Sequence, residues 1–412
     1  MFSPDRQLTV RQYVHLHNRA GYGLRPGELP EGTLPTRREA VRSLMDVGTV
    51  EAVTLQDFDE RRGALYRLRA DWMRRMSRPG QQALLERMTM FWHDHFACLP
   101  IRADIACDQL NLLRREALGN FRDLLLGMAT DTAMMRYLNA NAIKKEAPNE
   151  NFAREILELF TVGIESYTED DVRALARSLA GWGLNGQEKW ILRKGQVDAG
   201  AKTIFGKTAA FTGMEALGFV ATRRTSADYL TYKLWVYLTD AEPAPALHAA
   251  LSATLYEADF EIRPWLERLL TSDAFYDESV IGARVKSPTD LLVMWTRHVG
   301  ADLPADNDRW VNFPRFAGQL VFAPPSVAGW PGGRAWVNSS TLPSRMALPV
   351  ASYETAAEDA RALETFDGLA GYAREAIERS RRDPTLARRL LNVDLRDADP
   401  ISLATHSRYQ YA

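Results

Sequence analysis

Apolar residues recur at helical spacing along most of the chain, and capping residues divide this pattern into short helices. The clearest helix starts are capping boxes, in which a Ser or Thr precedes an acidic residue by three positions. Such boxes occur at Thr36–Glu39, Thr168–Asp171 and Ser287–Asp290. The pattern predicts helices near residues 8–19, 37–47, 57–76, 81–95, 103–117, 121–129, 133–138, 149–162, 169–179, 215–221, 226–238, 244–255, 261–270 and 288–299.

Residues 181–214 interrupt the helical pattern. Two segments, Lys189–Leu192 and Thr203–Phe205, are typical of short strands and suggest a hairpin. Glycines at 181, 183 and 186 match the letters of a dinucleotide fingerprint, but they follow a helix and open none, so we reject such a site. The sequence therefore predicts a mostly α fold: a large multi-helix body with a small β-hairpin or irregular insert near 183–212.

The chain of 412 residues is longer than a usual single core, which allows two lobes or one large helical body. We predict four parts along it. They are an N-terminal helical lobe (1–182) that carries most motifs, the insert (183–214), a C-terminal helical lobe with a Trp-rich loop (215–346), and a peripheral helical tail (347–412).

Composition excludes several classes of protein. A net charge of −2 and a pI near 6.4 give no support to binding of nucleic acid or an anionic membrane. Two cysteines, Cys98 and Cys107, exclude a disulfide framework. The sequence contains no run of about 18 apolar residues, so we predict no membrane span. Residues 1–12 contain no apolar signal core. We therefore expect a cytoplasmic location.

The segment Asn149–Phe160 concentrates charge within one helix length. On a regular α-helix, Asn151, Glu155 and Glu158 share a face, and the two like charges repel weakly. Either this face is solvated, or a cation lies between the carboxylates.

This segment, with the residues that follow it to Val172, resembles the bacterial domain-of-unknown-function family 1800. Three further segments resemble the same family in the same order: 15–23, 91–97 and 322–333. The resemblance covers about residues 12–346. It implies little about chemistry, because the family is named for its unknown function.

The chain departs from that family at two positions. Val197 precedes Asp198 where relatives often have histidine, and Asn139 stands where relatives tend to have aspartate. Either the activity of this member has diverged, or those positions are structural.

The most specific candidates for metal binding are His93 and His95. On a regular helix they point about 200° apart, so both can bind one ion only if the helix ends there. Pro100 and the neighbouring aromatic residues favour such an end. Imidazoles and carboxylates from separate helices suit iron, manganese or zinc, and we predict the ligands His93, His95, Glu155 and Glu158. The alternative is a core His93 and a surface His95.

Two other groups complete the predicted site. Arg19 either pairs with a carboxylate such as Glu155 or Glu158, or holds an anionic substrate group, beside catalytic Glu155 and Asn151. Trp330 and Trp336 lie in a long Pro- and Gly-rich loop, which we interpret as a lid over the substrate.

Together these features predict a metal-dependent enzyme. Oxidative chemistry, like that of an oxygenase or hydroxylase, is favoured over hydrolysis, on a small-molecule or peptide substrate. The alternative is a non-catalytic helical scaffold or partner-binding protein that uses the Trp330 loop as its contact surface.

The double variant Glu155→Gln/Glu158→Gln distinguishes a cation site from a solvated face. At a cation site, neutralisation should stabilise the metal-free protein by ~1 kcal/mol or more and abolish the stabilisation by added metal. The measurement is thermal unfolding of both proteins with chelator and with excess iron, manganese or zinc. Parallel melting curves would instead leave a solvated face.

Overall fold

The computed structural model describes residues 1–55, 63–78, 80, 82–304, 308–353, 373–383, 385–391 and 399–411. This part is mostly helical, which confirms the predicted fold class. In chain order the α-helices are α1 Val10–Ala20, α2 Arg37–Met45, α3 Ala64–Ser77, α4 Ala83–His95, α5 Ala103–Glu116, α6 Phe121–Ala129, α7 Thr132–Tyr137, α8 Glu150–Glu155, α9 Glu169–Ser178, α10 Gly213–Ala221, α11 Arg224–Thr239, α12 Pro245–Glu257, α13 Ile262–Leu270, α14 Pro288–Val299, α15 Asn312–Phe316, α16 Leu342–Tyr353, α17 Arg374–Ser380, α18 Leu386–Leu391 and α19 Pro400–Thr405.

The capping boxes form where the sequence places them. The side chains of Thr36, Thr168 and Ser287 each accept the backbone N–H three residues later. The helix predicted from residue 57 begins at Ala64 in the described chain, and residues 56–62 lie outside the described ranges. None of the described helices has the length and apolar character needed to cross a bilayer.

The insert contains two hairpins, where the sequence suggested one. Strand β1 (Trp182–Leu184) pairs with β2 (Trp190–Leu192), and β3 (Lys202–Ile204) pairs with β4 (Lys207–Ala209), both antiparallel. The two predicted strands, β2 and β3, therefore do not pair with each other, and each pairs with a strand that the sequence did not predict. The reason for the second hairpin is a two-residue turn, Phe205–Gly206, in which both residues have positive φ, as a tight hairpin turn requires.

The helix predicted over 149–162 is present, but its second half is not a regular α-helix. After α8, residues Ile156–Thr161 form a π-helix. Two carbonyls of its last turn bond to other segments: Leu159 O accepts from the Tyr229 hydroxyl at 3.1 Å, and Phe160 O lies 3.0 Å from His95 Nε2. Glu155 and Glu158 therefore lie on either side of an α–π junction, and the regular spacing expected between them is not kept.

Two hydrophobic clusters form the interior. Helix α4 contributes to both, with Phe91 in the first cluster and Met90 in the second. The tail expected to be peripheral also enters the second cluster, through the fully buried Leu348, Ile377 and Tyr409. The described tail is thus part of the core, and the predicted division into lobes stays a prediction.

A buried ion cluster joins distant parts of the chain. Arg87 on α4 donates to Asp290 on α14 at 2.5 Å and, through Nε, to the Gly21 carbonyl after α1 at 3.0 Å. Arg284 donates to the other Asp290 oxygen at 2.6 Å. Burial alone would raise the pKa of Asp290, but Arg87 and Arg284 hold this pKa well below its usual range. The cluster fixes how α1, α4 and α14 meet.

Candidate functional site

A pocket of about 280 Å³ lies between α4, α11 and the loop that contains both tryptophans. Its apolar wall consists of Met90, Phe91, Val236, Tyr237, Trp330 and Trp336. Its polar wall includes Asp94, His95, Lys233, Asp240, Arg284 and Ser287. Apolar walls with a few converging polar groups are typical of small-molecule sites.

Two side chains at the end of α4 hold the loop over this pocket. His93 Nε2 accepts the Phe322 N–H at 3.1 Å, and Asp94 Oδ1 accepts the Trp330 N–H at 2.9 Å. His93 therefore carries its proton on Nδ1, and burial, with Arg69 as a smaller cause, lowers its pKa to about 3. The Nε2 lone pair of His93 is used for structure.

Glycine is required beside this contact. Gly329 has φ +82°, and a Cβ there would lie 2.7 Å from the Asp94 backbone oxygen and even closer to its carboxylate. Only glycine accepts this conformation at this distance without strain. The close approach brings the Trp330 N–H to Asp94.

Asp94 and Lys233 are the two charged groups whose pKa values shift toward neutrality in the pocket. Burial raises the pKa of Asp94 to about 6, although the Trp330 N–H, Lys233 and Arg284 favour its charged form. Burial lowers the pKa of Lys233, and Asp94 partly opposes this shift. Such opposed pairs are a mark of acid–base sites.

His95 is a neutral imidazole on the same wall. Its Nε2 lies 3.0 Å from the Phe160 carbonyl and therefore carries the proton, and its Nδ1 has no partner among the described residues. Burial, then the charge of Lys233, lowers its pKa well below the usual value. A lone pair is thus available on Nδ1.

A family model described as "Protein of unknown function (DUF1800)" matches residues 15–400. The chain belongs to the DUF1800 family. No curated protein and no solved structure matches it. Two of the segments on which the family resemblance rests, 91–97 and 322–333, meet at the pocket of this DUF1800 protein.

The predicted metal ligands do not converge in this DUF1800 protein. The described residues contain no group of three or more His, Cys, Asp or Glu side chains that could hold a metal ion. His93 is committed to Phe322, and the Glu158 carboxylate accepts from the Tyr167 hydroxyl. Burial, then Glu158, raises the pKa of Glu155. The ligand set drawn from the sequence is therefore not assembled, although metal use itself stays a prediction.

The other predicted residues divide into two groups. Asn151 is exposed, and neither it nor Glu155 lines the pocket. Trp330 and Trp336 do line it, and with Val285 they form a small cluster separate from both main cores. This placement fits the predicted cover. Arg19 is buried, and the carboxylates that favour its charge are Asp290 and Asp240 instead of Glu155 or Glu158. The charges of Arg284 and Arg87 oppose it.

Sequence reasoning missed Asp94, Lys233 and Arg284 as site residues. A signal was present for Lys233, which is the single charged residue between Tyr229 and Thr239 in the mostly apolar second half of α11. Asp94 lies between His93 and His95, and this His-Asp-His sequence suggests metal binding before acid–base chemistry. For Arg284 we find no local signal.

Gly329→Ala tests the contact that positions the loop. Gly27 has the same φ of +82° with open space around it, so Gly27→Ala reports backbone strain alone. Gly329→Ala should cost about 1–3 kcal/mol more, because its methyl group also displaces Asp94 from the Trp330 N–H. The free energy of unfolding in urea measures both variants. Equal losses would show that Asp94 does not hold the loop.

Proposed function

We propose that this protein is an enzyme that transfers protons on a small molecule, with Asp94 as the base and Lys233 as the acid. One observation carries the proposal: Asp94 and Lys233, whose pKa values both shift toward neutrality, line one pocket built from two family segments. The proposal concerns reaction type and leaves the substrate to experiment.

The two groups have complementary tasks at neutral pH. With a pKa of about 6, Asp94 is mostly a carboxylate and can accept a proton from the substrate. Lys233, whose ammonium form is disfavoured by burial, can donate a proton to the substrate atom on which negative charge develops. After the product leaves, Asp94 releases its proton to water and Lys233 takes one up from water, which restores both side chains.

The surroundings support such transfers. The tryptophans and α4 place apolar surface around Asp94 and Lys233, which strengthens electrostatic interactions by excluding water. The loop is fastened at Phe322 and Trp330, and its tryptophans pack in a small cluster of their own. A cover held at defined points can open without unfolding the core.

Metal-dependent catalysis, oxidative in preference to hydrolytic, is our second proposal. The observation that favours it is the unpartnered Nδ1 of His95 on the pocket wall, a nitrogen able to bind iron, manganese or zinc. The melting comparison with chelator and metals tests it when His95→Gln is added to the two glutamate changes.

A scaffold role has less support, since Trp330 and Trp336 are only 8% and 6% exposed. A cytoplasmic location stays a prediction that cell fractionation can test.

Asp94→Asn should remove activity and keep the fold. The amide oxygen still accepts the Trp330 N–H, and loss of a buried charge above pH 6 should leave stability equal or higher, because the folded protein favours the neutral carboxyl. The assay follows depletion of metabolites by mass spectrometry when purified protein is incubated with a small-molecule cell extract. Depletion should slow by roughly 10²–10⁴-fold in the variant.

The matched control is Asp170→Asn, since Asp170 has a side chain that is 86% exposed. It should deplete the same compounds as the wild type. For the wild type, the rate should rise with pH through a midpoint near 6 as Asp94 ionises. No depletion by the wild type, or equal depletion by Asp94→Asn, would contradict the proposed function.

A further inference from the structure

The pocket is backed by an excess of buried positive charge. Asp290 is the buried carboxylate on which these charges converge, and its two oxygens are already used by Arg87 and Arg284. The cations that interact with it are Arg19, Arg87, Arg284, Lys286 and Arg345. Two further carboxylates take part, Asp240 with Arg19 and Asp94 with Arg284, so five cations outnumber three carboxylates.

Among these cations, Arg19 is the one whose charge is least well satisfied. Its side chain is 1% exposed, and all three guanidinium nitrogens lack a hydrogen-bond partner among the described residues. Burial, then the charges of Arg284 and Arg87, lowers the pKa of Arg19 well below its ordinary value. Asp290 and Asp240 favour its charged form, but neither accepts a hydrogen bond from it. A buried guanidinium without hydrogen bonds is costly, so an anionic acceptor is expected close by.

The other members of the cluster are better satisfied. Arg87 donates to Asp290 and to the Gly21 carbonyl, and Lys286 donates to the Tyr409 carbonyl at 2.6 Å and lies over its ring. Arg284 uses Nη1 for Asp290 and lines the pocket. The route by which a ligand can meet this charge therefore runs through Arg284.

We propose that the pocket binds a small molecule through an oxyanion group, a carboxylate or a phosphate, that is held by Arg284 and neutralises the charge of Arg19. Guanidinium groups match such anions because they offer paired donors in one plane. The volume, about 280 Å³, is near the lower end for ligand sites and suits a small molecule.

This inference names the ligand class of the proposed active site and rests on the proposed function in that respect. Anion binding needs no chemistry at Asp94, however, so the two can fail separately. If Asp94→Asn binds anions and no compound is ever depleted, the reaction is wrong and the anion site stands. If a compound is turned over and the anion tests fail, the reaction stands and the anion site is wrong.

Thermal unfolding of the purified protein tests the anion site. The probes are sodium phosphate, sodium sulfate and sodium succinate, each compared with sodium chloride at equal ionic strength. A saturable rise in Tm of roughly 3 °C over chloride is expected at concentrations far above Kd. A larger rise with phosphate and sulfate indicates a phosphate group, and a larger rise with succinate indicates a carboxylate.

Arg19→Met should change Tm in opposite directions without and with an oxyanion, relative to the wild type. Without an oxyanion its Tm should equal or exceed that of the wild type, because an uncompensated buried cation becomes an apolar chain. The rise caused by oxyanions should disappear. Arg114→Met is the matched control: Arg114 is equally buried, but it is paired with Glu86 at 2.9 Å. It should melt lower in every buffer and keep the rise caused by oxyanions.

A second variant covers failure of Arg19→Met to fold. Arg284→Lys keeps a charge beside Asp290 but loses the paired donors, so calorimetric titration with the most effective probe should show at least a tenfold weaker Kd. The proposal is overturned if no oxyanion raises the wild-type Tm above chloride. It is also overturned if a folded Arg19→Met keeps the full rise, or if Arg284→Lys binds as tightly as the wild type.

Discussion

The contact between Arg87 and Asp290 is the constraint on which the rest of this structure depends. Both side chains are about 1% exposed, and charges so deeply buried are tolerated only when they are paired and hydrogen-bonded. Asp290 is the third residue of α14 and closes the capping box that starts this helix, and Arg87 also bonds the Gly21 carbonyl at the end of α1. One ion pair thus sets the relative positions of three helices.

The pocket is connected to this ion pair through Arg284. Arg284 takes part in both, since it bonds Asp290 and also lines the pocket beside α11. From the other side, His93 and Asp94 at the end of α4 hold the tryptophan loop through its backbone. His93 and Asp94 therefore have a structural role. Asp94 both holds the tryptophan loop and lines the pocket.

This double use explains why the motifs alone do not identify a reaction. A histidine that accepts a backbone N–H and a histidine that ligates a metal are the same letter in a sequence. Here both histidines use Nε2, but that nitrogen accepts the Phe322 N–H in His93 and donates to the Phe160 carbonyl in His95. Membership of the DUF1800 family indicates no activity, so we infer a function from the charged groups gathered in one pocket.

Much of the fold could be predicted from the sequence because it is governed by neighbours along the chain. The boxes at Thr36, Thr168 and Ser287 form because cap and acceptor are three residues apart. The mostly helical class follows from periodic apolar positions in the same way. Of the site, the sequence indicated the tryptophan loop and the end of α4, which both line the pocket.

Tertiary structure decided the rest. The π-helix over Ile156–Thr161 differs from an α-helix by a small change in backbone bonding, and the carbonyls of its last turn bond to His95 and Tyr229, which are distant in sequence. Arg19, Lys233 and Arg284 acquire their roles only when helices far apart in sequence meet. Local spacing determines caps and helix faces, whereas burial and the pairing of charges depend on which segments the folded chain brings together.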